Sequence, residues 1–321
     1  MSRAGNRLSA MDGVLLIHKP AGCTSHDVCQ RVKRKLKAAK VGHTGTLDPM
    51  ATGVLPLCIN SATRLVQFLM FGEKEYSGCM RLGIETDTQD IEGSVLRTCD
   101  AASVERSAIE EACAAFRGDI LQTPPMYSAL KRAGVPLYRL AREGKTVERE
   151  PRRVTIYALD VLACEPPDIT FRVVCSHGAY MRTLCHDIGQ KLACGAVLSG
   201  LERVRTGGFH VRDALPLDAL ELLSVDDIRR DHLIGLDNAL HGLPEVVVDD
   251  AMAVRLRNGL SLTPCDMSRL DVPVTTGCQL LKIRLSGGGL VGVVQTIAAC
   301  DPAIFSGQST PAWKTVRIFA R

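Results

Sequence analysis

The sequence of 321 residues lacks several patterns that are typical of common enzymes. No GxSxG motif is present, which excludes the usual nucleophile loop of serine hydrolases. GxxxxGK[ST] is absent, and no GxGxxG lies between a strand and a helix. The sequence therefore gives no support for a site that binds nucleotide phosphates or a dinucleotide cofactor. The thirteen cysteines are odd in number and form no CxxC pair. This spacing argues against a zinc site or a disulfide framework and predicts cysteines that fill a reduced core.

Long apolar runs are also missing. No segment approaches the roughly 20 apolar residues of a membrane helix, and MSRAGNRLSAMDG has no apolar core of signal-peptide length. We therefore expect a soluble, cytoplasmic protein. The chain length predicts one large domain and a small one. A monomer is expected because no coiled-coil pattern or exposed apolar stripe is seen.

Positive charge is concentrated in two windows. Residues 31–40 carry six Lys/Arg and no acids, and residues 123–153 carry eight Lys/Arg against three Glu. These windows hold +6 and +5, while the whole chain carries +4, so the remainder carries −7. Such a distribution indicates a polyanion-binding surface, although each window alone also fits a solvated helix face. The second window interleaves its cations with Tyr127 and Tyr138, which suits contact with phosphates and unstacked bases.

Helices and antiparallel strands alternate along the first 245 residues. Strands are predicted at 13–19, 54–59, 74–82, 154–163, 169–175 and 201–209, and helices after Ser25, which is expected as a cap, and at 103–116 and after Gly178. The 154–175 pair is predicted to form a hairpin. This arrangement predicts an α+β fold with a mostly antiparallel central sheet flanked by helices. From Val246 onward, short β-type runs predict a small barrel-like module.

The segment GHTGTLDPMATG, residues 42–53, is the most distinctive loop. It presents one carboxylate, Asp48, among three glycines and Pro49, which shape the backbone. On this segment alone, an Asp-Pro pair that only caps a turn is the simpler interpretation. Two acidic residues in TDTQDIEG, Asp87 and Asp90, resemble a calcium loop but lack EF-hand spacing, so an Asx-rich turn is favoured.

A second distinctive loop, CSHGAYMR, places Arg182 in the first turn of a helix. An arginine there opposes the helix dipole, which suggests that a carboxylate or phosphate holds it, although a plain surface arginine also fits. Paired with Arg182, Asp48 would remain a carboxylate able to act as a nucleophile or base. The strand in LERVRTGGF is expected to carry Arg203 and Arg205 on the same side.

Six segments together resemble the TruB-type family of tRNA pseudouridine synthases, and its bacterial members in particular. In order, they are GHTGTLDPMATGVLPLCI, KEYSG, GIETDTQDIEG, PPMYSALK, CSHGAYMRTL and LERVRTGGF. The resemblance implies a pseudouridine synthase fold that isomerises uridine-55 in the tRNA T-arm by base flipping, without a cofactor, small-molecule or metal. It also implies a catalytic domain at 1–245, with an RNA-closing insertion at 123–153, and a PUA-like RNA-binding domain at 246–321.

The resemblance also assigns roles to individual residues. Asp48 is implied as the nucleophile, His43 as a T-loop contact and Tyr76 as the ring that stacks on the flipped base. Tyr180, Arg182 and Leu201 are implied as pocket residues, with Arg182 paired to Asp48. His177 and Ala179 depart from the family's more usual Lys and Thr. The alternative hypothesis is a non-catalytic RNA-binding protein or tRNA chaperone, which needs the basic windows but not Asp48.

Overall fold

The computed structural model describes residues 11–260, 270, 279–296 and 313–319. Its strands, in chain order, are β1 (Gly13–Lys19), β2 (Val41–His43), β3 (Thr52–Ile59), β4 (Lys74–Leu82), β5 (Ile84–Thr86), β6 (Val95–Thr98), β7 (Gly118–Gln122), β8 (Lys131–Arg132), β9 (Val135–Pro136), β10 (Arg152–Glu165), β11 (Asp168–Cys175), β12 (Ala196–Thr206), β13 (Phe209–His210), β14 (Leu215–Pro216), β15 (Leu233–Ile234), β16 (Glu245–Val248), β17 (Leu280–Leu285), β18 (Leu290–Thr296) and β19 (Trp313–Ile318).

The α-helices are mostly short. They are α1 (Ser25–Lys35), α2 (Val66–Leu69), α3 (Arg106–Ala114), α4 (Leu137–Arg142), α5 (Met181–Lys191), α6 (Ala219–Leu222), α7 (Val225–Asp227), α8 (Leu236–Ala239) and α9 (Asp250–Arg257). Tighter 3₁₀ turns cover Asn60–Leu65 and Val211–Asp213, and a π-helical turn covers Ile228–His232. None of these helices is long and apolar enough to cross a membrane.

One large sheet organises the N-terminal part of the chain. Its strand order is β14-β1-β3-β12-β4-β11-β10-β7, with β2, β13 and β15 attached at its sides. Among the described strand pairs of this large sheet, β1–β14 and β3–β12 are parallel and the others are antiparallel. The predicted hairpin is the antiparallel β10–β11 pair. The α+β fold with a mostly antiparallel central sheet is therefore confirmed.

Helices α1, α3 and α5 cover one face of this sheet. Val28 and Val32 of α1, Ile109 of α3 and Leu184 of α5 are fully buried in a core shared with Phe171 of β11. The cysteines of the described part are all unpaired, and six of the ten are buried. Since a reduced thiol packs as a small hydrophobe, these cysteines serve the core as expected.

The C-terminal part is β-rich, as predicted. Strands β16 to β19 form a four-stranded sheet in sequence order. Over the described ranges these strands form an open sheet, so they do not close into the expected barrel. Val293 and Phe319 share a buried core with Val14, Val54 and Leu65 on the outer face of the large sheet. Apolar burial therefore joins the C-terminal module directly to the large sheet.

The segment at 123–153 is mostly irregular, as expected for the insertion. It contains the small β8–β9 hairpin and the six-residue helix α4. Arg142 lies over the Tyr138 ring, 5.6 Å from its centroid, and Arg149 donates to Pro124 O at 3.0 Å. The segment is thus held by contacts of its own, with most of its cations exposed.

Candidate active site

The Asp48 loop is fixed at its base by a serine. Ser25 Oγ accepts from Leu47 N at 2.8 Å and donates to Leu47 O at 3.1 Å. The expectation that Ser25 caps α1 is wrong, because Thr24 is the cap and exchanges hydrogen bonds with Asp27. Ser25 is free to bind the loop because Thr24 already satisfies the helix start. Helix α1 therefore anchors the residue that precedes Asp48.

Asp48 pairs with Arg182 in a bidentate geometry. Arg182 Nε donates to Oδ2 at 2.9 Å and Nη2 donates to Oδ1 at 3.1 Å. The arginine side chain is only 5% exposed, whereas that of Asp48 is 35% exposed. Such a fork-to-fork pair fixes the orientation of the carboxylate while leaving part of it accessible. The plain surface arginine is excluded by this burial.

Two main-chain carbonyls complete the partners of Arg182. Its Nη1 donates to Thr88 O at 3.1 Å, and its Nη2 donates to Tyr127 O at 2.7 Å. Asp90 adds a carboxylate oxygen 3.7 Å from Nη1. Sequence reasoning missed these partners, since carbonyls leave no residue-type signal. The only available clue was the TDTQDIEG run, whose acids were assigned to a turn.

That turn assignment agrees with the hydrogen bonds. Asp87 Oδ1 accepts from Ser94 N at 2.8 Å, and Asp90 Oδ1 accepts from Glu92 N at 3.2 Å. Both carboxylates therefore bind the backbone of their own loop, as in Asx turns. The turn also has a second task, because it presents the Thr88 carbonyl and the Asp90 carboxylate to Arg182.

Tyr76 and Tyr180 lie close enough to Asp48 for its negative charge to affect the pKa of each phenol. Burial raises the pKa of Tyr76 to about 12, and the Asp48 carboxylate adds to this rise. The pKa of Tyr180 is also raised, chiefly by burial and slightly by Asp48. The backbone of Tyr180, just before α5, is held by Gln122 through bonds of 2.9 and 3.2 Å. Both phenols therefore stay protonated near neutral pH.

Leu201 and His43 lie on β12 and β2, two strands that pair with β3 directly after the Asp48 loop. Leu201 lines an open cavity of about 460 Å³ together with Met50 and Thr52, which follow Asp48 in the chain. His43 ends β2 and is half-buried, and its Nδ1 has no hydrogen-bond partner within the described residues. Burial lowers the pKa of His43, with a further contribution from Arg203, so its imidazole is neutral near pH 7.

Three more cations lie buried around the loop. Lys19, Lys74 and Arg203 are 0%, 8% and 1% exposed. Each of them donates to two backbone carbonyls, which are those of Pro20, Pro49, Met70, Gly72, Val54 and Gly45. Burial lowers the pKa of each, that of Lys74 to about 8. The site therefore has a positive electrostatic surrounding that the sequence did not reveal.

Arg203 and Arg205 face opposite sides of the sheet, so the expectation of a shared side is wrong. A register shift lies between them in the β4–β12 pairing. Arg203 is paired with Tyr76, while Arg205 is paired with Glu75 and binds the carboxylates of Glu75 and Glu73 at 3.2 and 3.3 Å. A bulge inserts one residue and reverses the alternation, which the sequence pattern cannot show.

The basic face of α1 is only partly available to a polyanion. Arg31 lies 3.5 Å from Asp218 and 3.6 Å from Glu221, and Lys35 donates to Glu221 O at 2.7 Å. Arg34 and Lys37 stay exposed. The basic residues of the 31–40 window therefore have two roles, since some bind α6 and others present charge to solvent.

Two family models together match residues 33–242. Residues 33–181 match the N-terminal domain of the TruB family of pseudouridylate synthases, and residues 182–242 match the C-terminal domain of tRNA pseudouridylate synthase B. The chain belongs to the TruB family. Pseudouridine synthases are isomerases, and this member of the TruB family is therefore an isomerase.

Individual relatives agree with this family. The chain is 46% identical to tRNA pseudouridine synthase B of Syntrophotalea carbinolica, over 86% of this chain and 90% of that protein. It is 50% identical to the enzyme of that name from Burkholderia mallei, over 79% and 83% of the two chains. A solved H/ACA ribonucleoprotein bound to a substrate RNA containing 2'-deoxyuridine contains a similar chain, with a TM-score of 0.72 and 25% identity. That match covers 97% of this TruB family member and 86% of the other chain.

Proposed function

We propose that this protein isomerises uridine-55 in the T-arm of tRNA to pseudouridine, with Asp48 as the nucleophile and without a cofactor. The observation that carries the proposal is the buried, bidentate Arg182 beneath a partly exposed Asp48 carboxylate. The tRNA substrate is supported by the relatives named tRNA pseudouridine synthase B, and position 55 by the sequence resemblance.

The reaction needs the target base to leave the stack, because it is detached, turned and rejoined. The bond between N1 of uracil and C1' of ribose breaks, and a bond between C5 and C1' forms. The proton on C5 is lost and N1 gains one, so the product is an isomer of the substrate. Arg182 orients the Asp48 carboxylate for attack on the nucleotide through its two hydrogen bonds.

The remaining predicted residues have defined tasks in this proposal. The Tyr76 ring stacks on the flipped base, since aromatic stacking offsets part of the unstacking cost of a few kcal/mol. Leu201 and Tyr180 border the base, and the half-buried, neutral imidazole of His43 contacts the T-loop. Exposed cations of the 123–153 insertion bind phosphates.

We also propose a boundary near Glu245, where β16 begins. Residues 1–245 then form the catalytic domain and residues 246–321 the RNA-binding domain. The monomeric state and the cytoplasmic location stay predictions.

The decisive experiment compares Asp48→Asn with the native protein on unmodified tRNA. We expect Asp48→Asn to lower the rate of pseudouridine formation on the order of 10⁴-fold or more, because the nucleophile is lost. Binding of tRNA should change little, since phosphate contacts dominate affinity. Pseudouridine mapping identifies the position, and a tRNA with cytidine at position 55 serves as the substrate control.

Asp119→Asn is the matched protein control. It removes the same charge from a carboxylate that binds Thr155 and Arg153 on β10. This variant should keep the native rate. Full turnover by Asp48→Asn would remove Asp48 from the mechanism, and tRNA binding without any pseudouridine from the native protein would favour the RNA chaperone.

A further inference from the structure

Arg203 connects the two ends of the Asp48 loop through its side chain. Its Nε donates to Val54 O at 2.9 Å, and its Nη2 donates to Gly45 O at 3.1 Å. Gly45 precedes Asp48 by three residues and Val54 follows it by six. Because both bonds come from one rigid, planar guanidinium, they set the distance between the two ends of the loop.

The backbone of Arg203 also fixes the exit of the loop. Gly53 of β3 pairs with Arg203 of β12 in parallel register. A Cβ atom at Gly53 would lie 2.3 Å from Arg203 O and 2.5 Å from Arg203 N, and its φ is +107°. Only glycine fits such a close approach at this φ. The loop therefore returns to the sheet at one point, directly against Arg203.

The guanidinium of Arg203 reaches the candidate stacking ring as well. Arg203 is the register partner of Tyr76 on β4, and the guanidinium contacts the Tyr76 hydroxyl. Tyr76 is 6% exposed and Arg203 is 1% exposed, so the surrounding protein restrains both side chains. A single buried side chain thus contacts the entry of the loop, its exit and the aromatic ring.

We propose that Arg203 is a positioning residue that holds the Tyr76 ring and the Asp48 carboxylate in a fixed mutual arrangement. The inference rests on the proposed function, in which Tyr76 binds the flipped base and Asp48 attacks the nucleotide. Arg203 is too buried to meet a phosphate, so its effect falls on the chemical step rather than on tRNA affinity. Misplacement of reacting groups by about 1 Å costs about 10²-fold in rate.

The test uses Arg203→Lys, which keeps the positive charge but loses the planar fork. We expect its single-turnover rate of pseudouridine formation to fall about 10- to 100-fold, while its Kd for tRNA stays within about threefold of the native value. Arg205→Lys is the control, because Arg205 lies on the same strand but faces the opposite side of the sheet. This control should keep the native single-turnover rate.

A double-mutant cycle with Tyr76→Phe separates positioning from general weakening of the fold. If Arg203 acts through the Tyr76 hydroxyl, the losses in single-turnover rate will not multiply, and the double variant will resemble the slower single variant. A purely structural effect would instead multiply the losses and raise Kd. A native single-turnover rate in Arg203→Lys overturns the proposal.

Two further outcomes are also decisive. If Arg203→Lys does not fold, Tyr76→Phe breaks the same contact from the other side, and a native rate in that variant overturns the proposal. If the native protein makes no pseudouridine, the proposed function fails, whereas an active native protein with an equally active Arg203→Lys refutes only this inference.

Discussion

The Asp48–Arg182 pair gives the most quantitative prediction. Replacing Arg182 with Met removes four hydrogen bonds, two to Asp48 and one each to the carbonyls of Thr88 and Tyr127. The carboxylate is then left without its partner in a largely buried position. Breaking a buried ion pair costs about 3–5 kcal/mol, whereas an exposed pair contributes about 0–1 kcal/mol. Because Asp48 is 35% exposed, we expect the lower end, about 3 kcal/mol of unfolding free energy.

Urea unfolding at pH 7 measures this cost, and two further variants identify its origin. Arg182→Met combined with Asp48→Asn removes the unpaired charge, so it should recover about 1 kcal/mol or more relative to Arg182→Met alone. Arg81→Met is the matched control, since Arg81 binds Asp168 with the same bidentate geometry but both side chains are at least 40% exposed. That control should lose less than about 1 kcal/mol. A double variant no more stable than Arg182→Met would refute the electrostatic explanation.

Two other predictions concern charge around the site. The pKa of Lys74 is about 8 in the folded protein but about 10.5 in an unfolded chain, so the unfolded state binds the extra proton between these values. Relative to Lys74→Met, the native protein should therefore gain about 3 kcal/mol of unfolding free energy from pH 7 to pH 11. Urea titrations at several pH values measure this difference, and a difference that stays constant with pH would contradict the prediction. His177 has a lowered pKa, chiefly from burial, and is neutral near pH 7.5, so His177→Lys adds a charge. If residue 177 faces phosphate, the salt dependence of tRNA binding should steepen by about one in log–log slope, and an unchanged slope would exclude that contact.

Periodicity predicted the parts of this molecule whose packing is local. Val28 and Val32 are four residues apart in α1, and both are fully buried on the face that packs against the sheet. The two runs joined by CEPPD form the predicted hairpin, with Asp160 opposite Arg172. In these segments the side chain that is buried is decided by its neighbours in sequence, so the pattern suffices.

Contacts between distant segments could not be predicted in this way. Ser25 has the residue type of a helix cap, but its partner is Leu47, 22 positions away. The bulge that separates Arg203 from Arg205 depends on pairing with β4, which no pattern within β12 encodes. Arg182 was singled out by its position at a helix start, yet its carbonyl partners, Thr88 and Tyr127, are main-chain groups that any residue type would provide.

The apolar core shared by the two parts of the chain has a consequence for substrate selection. Val293 and Phe319 pack against Val14 and Val54, and Lys282 binds Asp237 at 2.9 Å and Glu245 at 3.0 Å across the same junction. An apolar interface of this kind limits motion of the module relative to the large sheet. An RNA that touches both the module and Asp48 must therefore span a length set by the protein. Under the function proposed above, an RNA of unsuitable length would lose either its contact with the module or its contact with Asp48.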